Sequence, residues 1–193
     1  MIKIAVFASG NGSNAQRIVE YFYDSKHISV DLIITNNKSA YVIERAKLLK
    51  IPCYVFSKNE FSNSNLVIEL LKSHNISLIV LAGFLLLIPE NLIANFKERI
   101  INIHPALLPK YGGKGMYGEN VHKAVVINKE SETGITIHYV NEKYDEGKII
   151  FQAKCVVSER DTAEDVAKKI HLLEQEYFPK VIENICQGLL KTQ

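Results

Sequence analysis

Short apolar runs alternate with amphipathic stretches through the first half of the chain. Ile2 to Ala8 is an apolar run that ends at glycines, the pattern of a strand buried on both faces. Ser13 to Tyr23 carries Ala15, Ile18, Val19 and Phe22 at helical spacing. Val30 to Thr35 predicts a second buried strand, Ala40 to Leu49 a helix stopped by Ile51-Pro52, and Cys53 to Phe56 a short strand. Asn65 to Ser73 belongs to another amphipathic helix, Leu78 to Ala82 to a strand, and a short helix starts near Pro89. Arg99 to Ile103 closes the series as a strand. This alternation predicts an α/β fold with a doubly wound, mostly parallel sheet, the Ile2 strand in its interior and ligands at the carboxyl ends of the strands.

The second half changes character. Pro105 to Gly118 is rich in Gly and Pro and predicts a long functional loop. Glu119 to Ile127 predicts a helix. Thr133 to Val140 sets Ile135, Ile137 and Tyr139 against Thr136 and His138, the mark of a half-exposed strand, with Ile149 to Val157 as its antiparallel partner. Asp161 to Leu190 is a long helical region with Asp161 or Thr162 as N-cap, and Pro179 is expected to kink or break it. One domain spanning 1–193 is expected.

Composition narrows this little. Of 193 residues, 47% are hydrophobic and 23% charged, ordinary for a soluble globular protein. The net charge of +2, without a Lys/Arg cluster, is too small to argue for nucleic acid, and no such partner is expected. The three cysteines, Cys53, Cys155 and Cys186, are widely spaced and lack a CxxC, as expected of reduced cytoplasmic thiols. The N-terminal apolar run is too short for a signal peptide, and Leu78 to Pro89 is too short to span a bilayer, so no membrane partner is expected.

The densest chemistry lies in Asn102-Ile103-His104-Pro105-Ala106-Leu107-Leu108-Pro109. Side chains alternate along a strand, so Asn102 and His104 share a face at its end. One offers a hydrogen-bonding amide, the other an imidazole that titrates near neutral pH. That pair suits acyl or one-carbon transfer, although a lone strand-end histidine is also often only hydrogen-bonded. Asp145-Glu146-Gly147 forms a tight turn before the last strand, where a carboxylate is ordinarily solvated; it gains meaning if Asp145 faces His104, orienting the imidazole and raising its pKa. His27, His74 and His171 are expected in surface roles, and no spacing suggests a metal.

Ser9-Gly10-Asn11-Gly12-Ser13-Asn14 joins the first strand to the first helix. Glycines there turn N–H groups inward, and a helix N-terminus adds positive potential, which makes an anion site. The stretch matches G-x-G-x-x-A, but the second strand ends in Thr35-Asn36-Asn37 with no acid to hold a ribose, and no Gly-Lys-Ser/Thr follows. A phosphomonoester fits better than a dinucleotide; a tight turn without any ligand is the competing reading.

Taken together these stretches resemble the phosphoribosylglycinamide formyltransferase family. The matching pieces are 9–14, Leu-Ala-Gly-Phe at 81–84, 102–109, Thr-Gly-Ile-Thr-Ile-His at 133–138 and Tyr-Asp-Glu-Gly at 144–147, in family order across nearly the whole chain. The resemblance implies a Rossmann-like formyltransferase fold and formyl transfer from 10-formyltetrahydrofolate to the amine of glycinamide ribonucleotide in purine biosynthesis, without a metal, by a monomer or homodimer. It places the catalytic residues on Asn102, His104 and Asp145. It implies that protonated His104 and Asn102 donate to the oxyanion while Asp145 keeps the imidazole charged and, with a water, assists proton transfer from the amine to the folate nitrogen. The ribonucleotide falls on Gly10, Asn11, Gly12, Ser13, Asn14 and Glu174. The folate falls on Phe84, Leu85, Leu86, Leu87 and Ile88, together with Asn102, Val140, Asn141, Tyr144 and Asp145. Leu86 stands where many bacterial relatives carry Arg, so the pterin is expected to rest on backbone groups and apolar walls. His171 stands where Gln is common, and Gly112 to Gly118 is longer and richer in glycine than the family form, as expected of a mobile flap. Formyltetrahydrofolate hydrolases would add an N-terminal regulatory domain and methionyl-tRNA formyltransferases a C-terminal nucleic-acid-binding domain, neither expected here. Sugar-nucleotide formyltransferases share the three catalytic residues, and a non-catalytic nucleotide-binding module is the reading from another class.

Overall fold

The computed structural model describes residues 1–191. Its strands are β1 (Ile2–Phe7), β2 (Ile28–Thr35), β3 (Cys53–Val55), β4 (Leu78–Leu81), β5 (Ile100–His104), β6 (Glu132–Tyr139) and β7 (Ile149–Val156). Its helices are α1 (Ser13–Tyr21), α2 (Val42–Leu48), α3 (Lys58–Asn63), α4 (Leu66–Ser73), α5 (Glu90–Asn95), α6 (Glu119–Ile127) and α7 (Ala163–Lys191). The strands form one seven-stranded sheet in the order β3-β2-β1-β4-β5-β6-β7. Pairing is parallel from β3 to β5 and antiparallel for β5–β6 and β6–β7. β1 lies in the interior, as its apolar run predicts.

Alternation along the central strands divides the core. Ile4 and Val6 point into one cluster with α1, α2, α6 and α7, and Ala5 and Phe7 point into the other with α3, α4 and α5. Covering both faces is what a parallel sheet with crossover helices requires. The strand order reverses where β1 sits between β2 and β4, which opens a crevice at the carboxyl ends of β1 and β4.

Two expectations need correction. The strand β6 is not half-exposed: Thr133 to His138 are buried throughout. Ile135 and Ile137 pack in the cluster that holds α7, while Thr136 on the other face hydrogen-bonds Leu108 and Ala106 of the long loop. Period-two alternation reports polarity, and here a loop rather than water covers the polar face. Pro179 does not break α7, which continues through it as a 29-residue helix. Phe178, Pro179, Val181 and Ile182 are all buried, so packing on both sides of the proline offsets the backbone hydrogen bond it forfeits. The sequence reading also passed over α3. Ser57 caps it by accepting from the Glu60 N–H, and Glu60 accepts from the Ser57 N–H, a capping box. The same device starts α7, where Thr162 and Asp165 exchange backbone hydrogen bonds.

Candidate active site

A cavity of about 800 Å³ lies over the crevice, lined by the loop after β1, the segment after β4, the end of β5, the 105–118 and 140–145 loops and the front of α7. Every residue expected to bind or transform a ligand lines it.

β5 delivers Asn102 and His104, and β6 lies opposite in antiparallel register, pairing Asn102 with His138 and His104 with Thr136. The loop after β6 brings Asp145 back against them. Its Oδ1 lies 3.5 Å from His104 Nδ1 and 3.7 Å from His138 Nε2. Its Oδ2 accepts the Gly113 N–H at 2.9 Å, fastening the glycine-rich loop to the same carboxylate. Asp145 takes a left-handed backbone with φ 57°, an uncommon conformation for a residue with a Cβ. Gly147 closes the turn because a Cβ there would stand 1.7 Å from the Tyr139 carbonyl oxygen.

The hydrogen bonds assign the protons. His104 Nε2 lies 2.7 Å from the Tyr111 carbonyl, which can only accept, so Nε2 carries hydrogen and Nδ1 faces Asp145. His138 Nδ1 likewise donates to the Tyr139 carbonyl, leaving Nε2 to accept from Asn102 Nδ2 at 3.1 Å. The second Asn102 N–H runs to Asp145 at 3.5 Å, a long contact that leaves this proton able to turn toward a ligand.

Electrostatics reverses one expectation. Burial pushes the His104 imidazole below its ordinary pKa, against the opposing pull of Asp145 and the Tyr111 carbonyl. His104 is only 3% exposed, and the cost of desolvating an imidazolium outweighs the attraction of one carboxylate. His104 is therefore neutral at neutral pH in the free protein, not held charged. Burial pushes the Asp145 carboxyl upward, yet its neighbours, with the Gly113 N–H donating to Oδ2 among them, hold it below its usual range.

At the other side of the cavity Gly12 precedes α1 with φ 77°. No side chain caps this helix and its first turn has no acid, so its first N–H groups are left for a ligand. Arg45 secures the loop from behind, donating to the Asn11 carbonyl at 2.9 Å and the Asn11 amide oxygen at 2.7 Å. Asn14 Nδ2 donates to Glu174 Oε2 at 2.9 Å, and Gln175 Nε2 donates to Asn14 Oδ1 at 3.0 Å, which sets the Asn14 amide. His171 is exposed at the rim with Nδ1 3.6 Å from Glu174, whose hydrogen bond raises its pKa.

The 84–88 segment divides by side chain. Phe84 and Ile88 are buried in the core cluster, Phe84 against Phe7 and Phe61, while Leu85 and Leu87 are a little under half exposed and Leu86 is partly buried. Val140, Asn141 and Tyr144 line the cavity beside Asp145. Among the described residues no group of three or more His, Cys, Asp or Glu is placed to hold a metal ion, and no helix is long and apolar enough to cross a membrane.

Sequence reasoning missed four contributors. His138 was legible, since alternation puts it on the Thr136 face, but its register opposite Asn102 was not. The cavity-lining His122 has Nδ1 buried with no hydrogen-bond partner among the described residues, and burial lowers its pKa. Arg45 and Gln175 reach Asn11 and Asn14 from α2 and α7, contacts that no local pattern signals.

The formyl transferase family model matches residues 2–182. A chloroplast phosphoribosylglycinamide formyltransferase of Arabidopsis thaliana is 42% identical over 98% of this chain and 67% of its own length. The phosphoribosylglycinamide formyltransferase of Bacillus subtilis is 38% identical over 96% of this chain and 95% of its own. The crystal structure of the enzyme of that name from Streptococcus pneumoniae superposes with a TM-score of 0.84 at 35% identity, covering 96% of this chain and 99% of that one. The chain therefore belongs to the formyl transferase family, among its phosphoribosylglycinamide formyltransferases.

Proposed function

We propose that this protein transfers the formyl group of 10-formyltetrahydrofolate to the amine of glycinamide ribonucleotide, a step of purine biosynthesis. The observation that carries this reading is one cavity lined by an uncapped helix N-terminus, a leucine-rich segment and the Asn102–His104–Asp145 cluster. Phosphate takes the N–H groups of Gly12, Ser13 and Asn14, and Glu174 takes a ribose hydroxyl. The pterin rests on Leu85 to Leu87 and the 140–144 loop.

The amine attacks the formyl carbon, whose oxygen becomes an oxyanion. The Asn102 N–H now aimed at Asp145 turns to that oxygen, a kind of preorganised donor worth roughly 3–4 kcal/mol. Nδ1 of neutral His104 removes the proton from the nitrogen that has attacked. The resulting imidazolium lies beside Asp145, and its Nε2–H remains on the Tyr111 carbonyl. The same proton then passes to the folate nitrogen as the carbon–nitrogen bond breaks, so donor and acceptor both leave neutral. Remote binding of the phosphate positions the amine. The enzyme acts in the cytoplasm as a monomer or homodimer, without nucleic acid or membrane.

The test is purified protein with both substrates, following folate release and formylated ribonucleotide together. The reading predicts one product per folate released and slow release without an amine. Equal release with and without ribonucleotide would make the protein a hydrolase; preferential transfer to a sugar-nucleotide amine would change its substrate.

A further inference from the structure

Ser9 opens the phosphate loop in sequence, yet none of its polar atoms is left for an anion. Its N–H donates to the Gly83 carbonyl at 3.0 Å, and its carbonyl accepts from Asn37 Nδ2 at 3.4 Å. Its hydroxyl, in a residue 6% exposed, accepts the Leu85 N–H at 2.9 Å and donates to Asn36 Oδ1 at 2.5 Å. Two of these four bonds end on the segment after β4.

The arrangement extends the sheet beyond its last paired residues. β1 and β4 pair as far as Phe7 and Leu81, and the Ala82 N–H still reaches the Phe7 carbonyl. Ser9 N–H to Gly83 carbonyl is the next rung. At Gly83 the chain turns through φ 75° and the backbones part. The Ser9 side chain then substitutes for the missing backbone acceptor and takes the Leu85 N–H. A hydroxyl has one proton, and Asn36 Oδ1 receives it, so a lone pair is left facing Leu85. Thr35-Asn36-Asn37, which lacks the acid of a dinucleotide site, thus has another use here.

We propose that Ser9 is a positioning residue for the folate subsite, with Asn36 setting the direction of its hydroxyl. The first residue of the phosphate loop serves the other ligand by holding Leu85 to Leu87 at the height of the cavity wall. The ligand named here rests on the function proposed above; the loop contact does not.

Two measurements test it. In steady-state kinetics Ser9→Ala raises KM for 10-formyltetrahydrofolate about tenfold, the scale of one lost hydrogen bond. KM for glycinamide ribonucleotide changes less than twofold. Asn36→Leu, which frees the hydroxyl to rotate, shifts KM in the same direction, and Asn36→Asp, which keeps the acceptor, does so less. In hydrogen–deuterium exchange the Leu85 amide of Ser9→Ala exchanges at least tenfold faster, while amides at 12–14 keep their wild-type rates. A rise confined to the ribonucleotide KM, or an equal rise in both, overturns the proposal. So does an unchanged Leu85 exchange rate. If the wild-type protein does not transfer formyl between these substrates, the proposed function fails and the exchange measurement still decides the role of Ser9.

Discussion

Replacing Asp145 by Asn keeps the shape of the side chain and removes its charge. The charge matters most when His104 holds a proton during transfer. At 3.5 Å the carboxylate–imidazolium attraction is about 5 kcal/mol for an effective dielectric of about 20. The Asp145 side chain is 11% exposed, so solvent screening removes little of it, but rearrangement around the Asn amide recovers a part. Turnover at saturation of both substrates should therefore fall roughly 100- to 1,000-fold. The pH profile supplies the sign. In the proposed mechanism neutral His104 is the active form, so kcat/KM falls on the acid side as the imidazole takes a proton before substrate binds. Asp145 raises the His104 pKa against burial. Removing it leaves the Tyr111 carbonyl alone against burial, so the acid limb of Asp145→Asn moves to lower pH while the plateau drops. A plateau within threefold of wild type would refute the charge argument. An acid limb moving to higher pH would show that Asp145 does not face a protonated imidazole.

Gly12→Ala places a Cβ 2.4 Å from Val42 Cγ2 in a backbone with φ 77°, and should raise the ribonucleotide KM at least tenfold with the folate KM nearly unchanged; equal loss of both would indicate general misfolding. Leu86→Arg should change the folate dissociation constant more than the ribonucleotide constant, as measured by calorimetric titration, and an unchanged folate constant would put this position outside the subsite. His104 and His122 are both buried with pKa values below the ordinary one, so the unfolded chain binds their protons more readily. Their contribution favours the folded state above the unfolded histidine pKa of about 6.5 and turns against it as pH falls below that. Urea midpoints measured from pH 7.5 to 5 should decline, and His122→Gln should flatten the decline; an identical slope in that variant would remove His122 from the account.

Local rules made the β/α frame readable. Both faces of β1 are buried, so its apolar run carried no ambiguity of face, and the crevice followed from strand order. Asn102 and His104 were readable for the same reason, since two residues apart on a strand means one face. What failed depended on partners far along the chain. β6 looked half-exposed because its polar residues answer to Leu108 and Ala106, which lie more than twenty positions earlier. Pro179 looked like a break because helix propensity is local, whereas the packing that carries α7 through it is not. The capping box of Ser57 and Glu60 was in plain view, and α3 was missed for brevity of its apolar signal rather than for want of one.

The charge state of His104 shows the same division inside the site. A carboxylate beside an imidazole argues for a raised pKa, and that inference needs only two residues. Burial argues the other way, and it depends on the Pro105–Gly118 loop, the Asp145 turn and β6 all closing over one side chain. A strand-end histidine with a carboxylate neighbour is thus compatible with either sign until the covering is known. Here the covering prevails, and it changes the chemistry. A permanently charged His104 could donate to an oxyanion but could not accept the proton that the attacking amine must lose. A neutral one can do so, and in the proposed mechanism Asp145 then stabilises a charge that exists only during transfer. The depression of the His104 pKa and the carboxylate 3.5 Å away are not at odds in that mechanism: one would keep the base free before reaction, the other would stabilise it while it carries the proton.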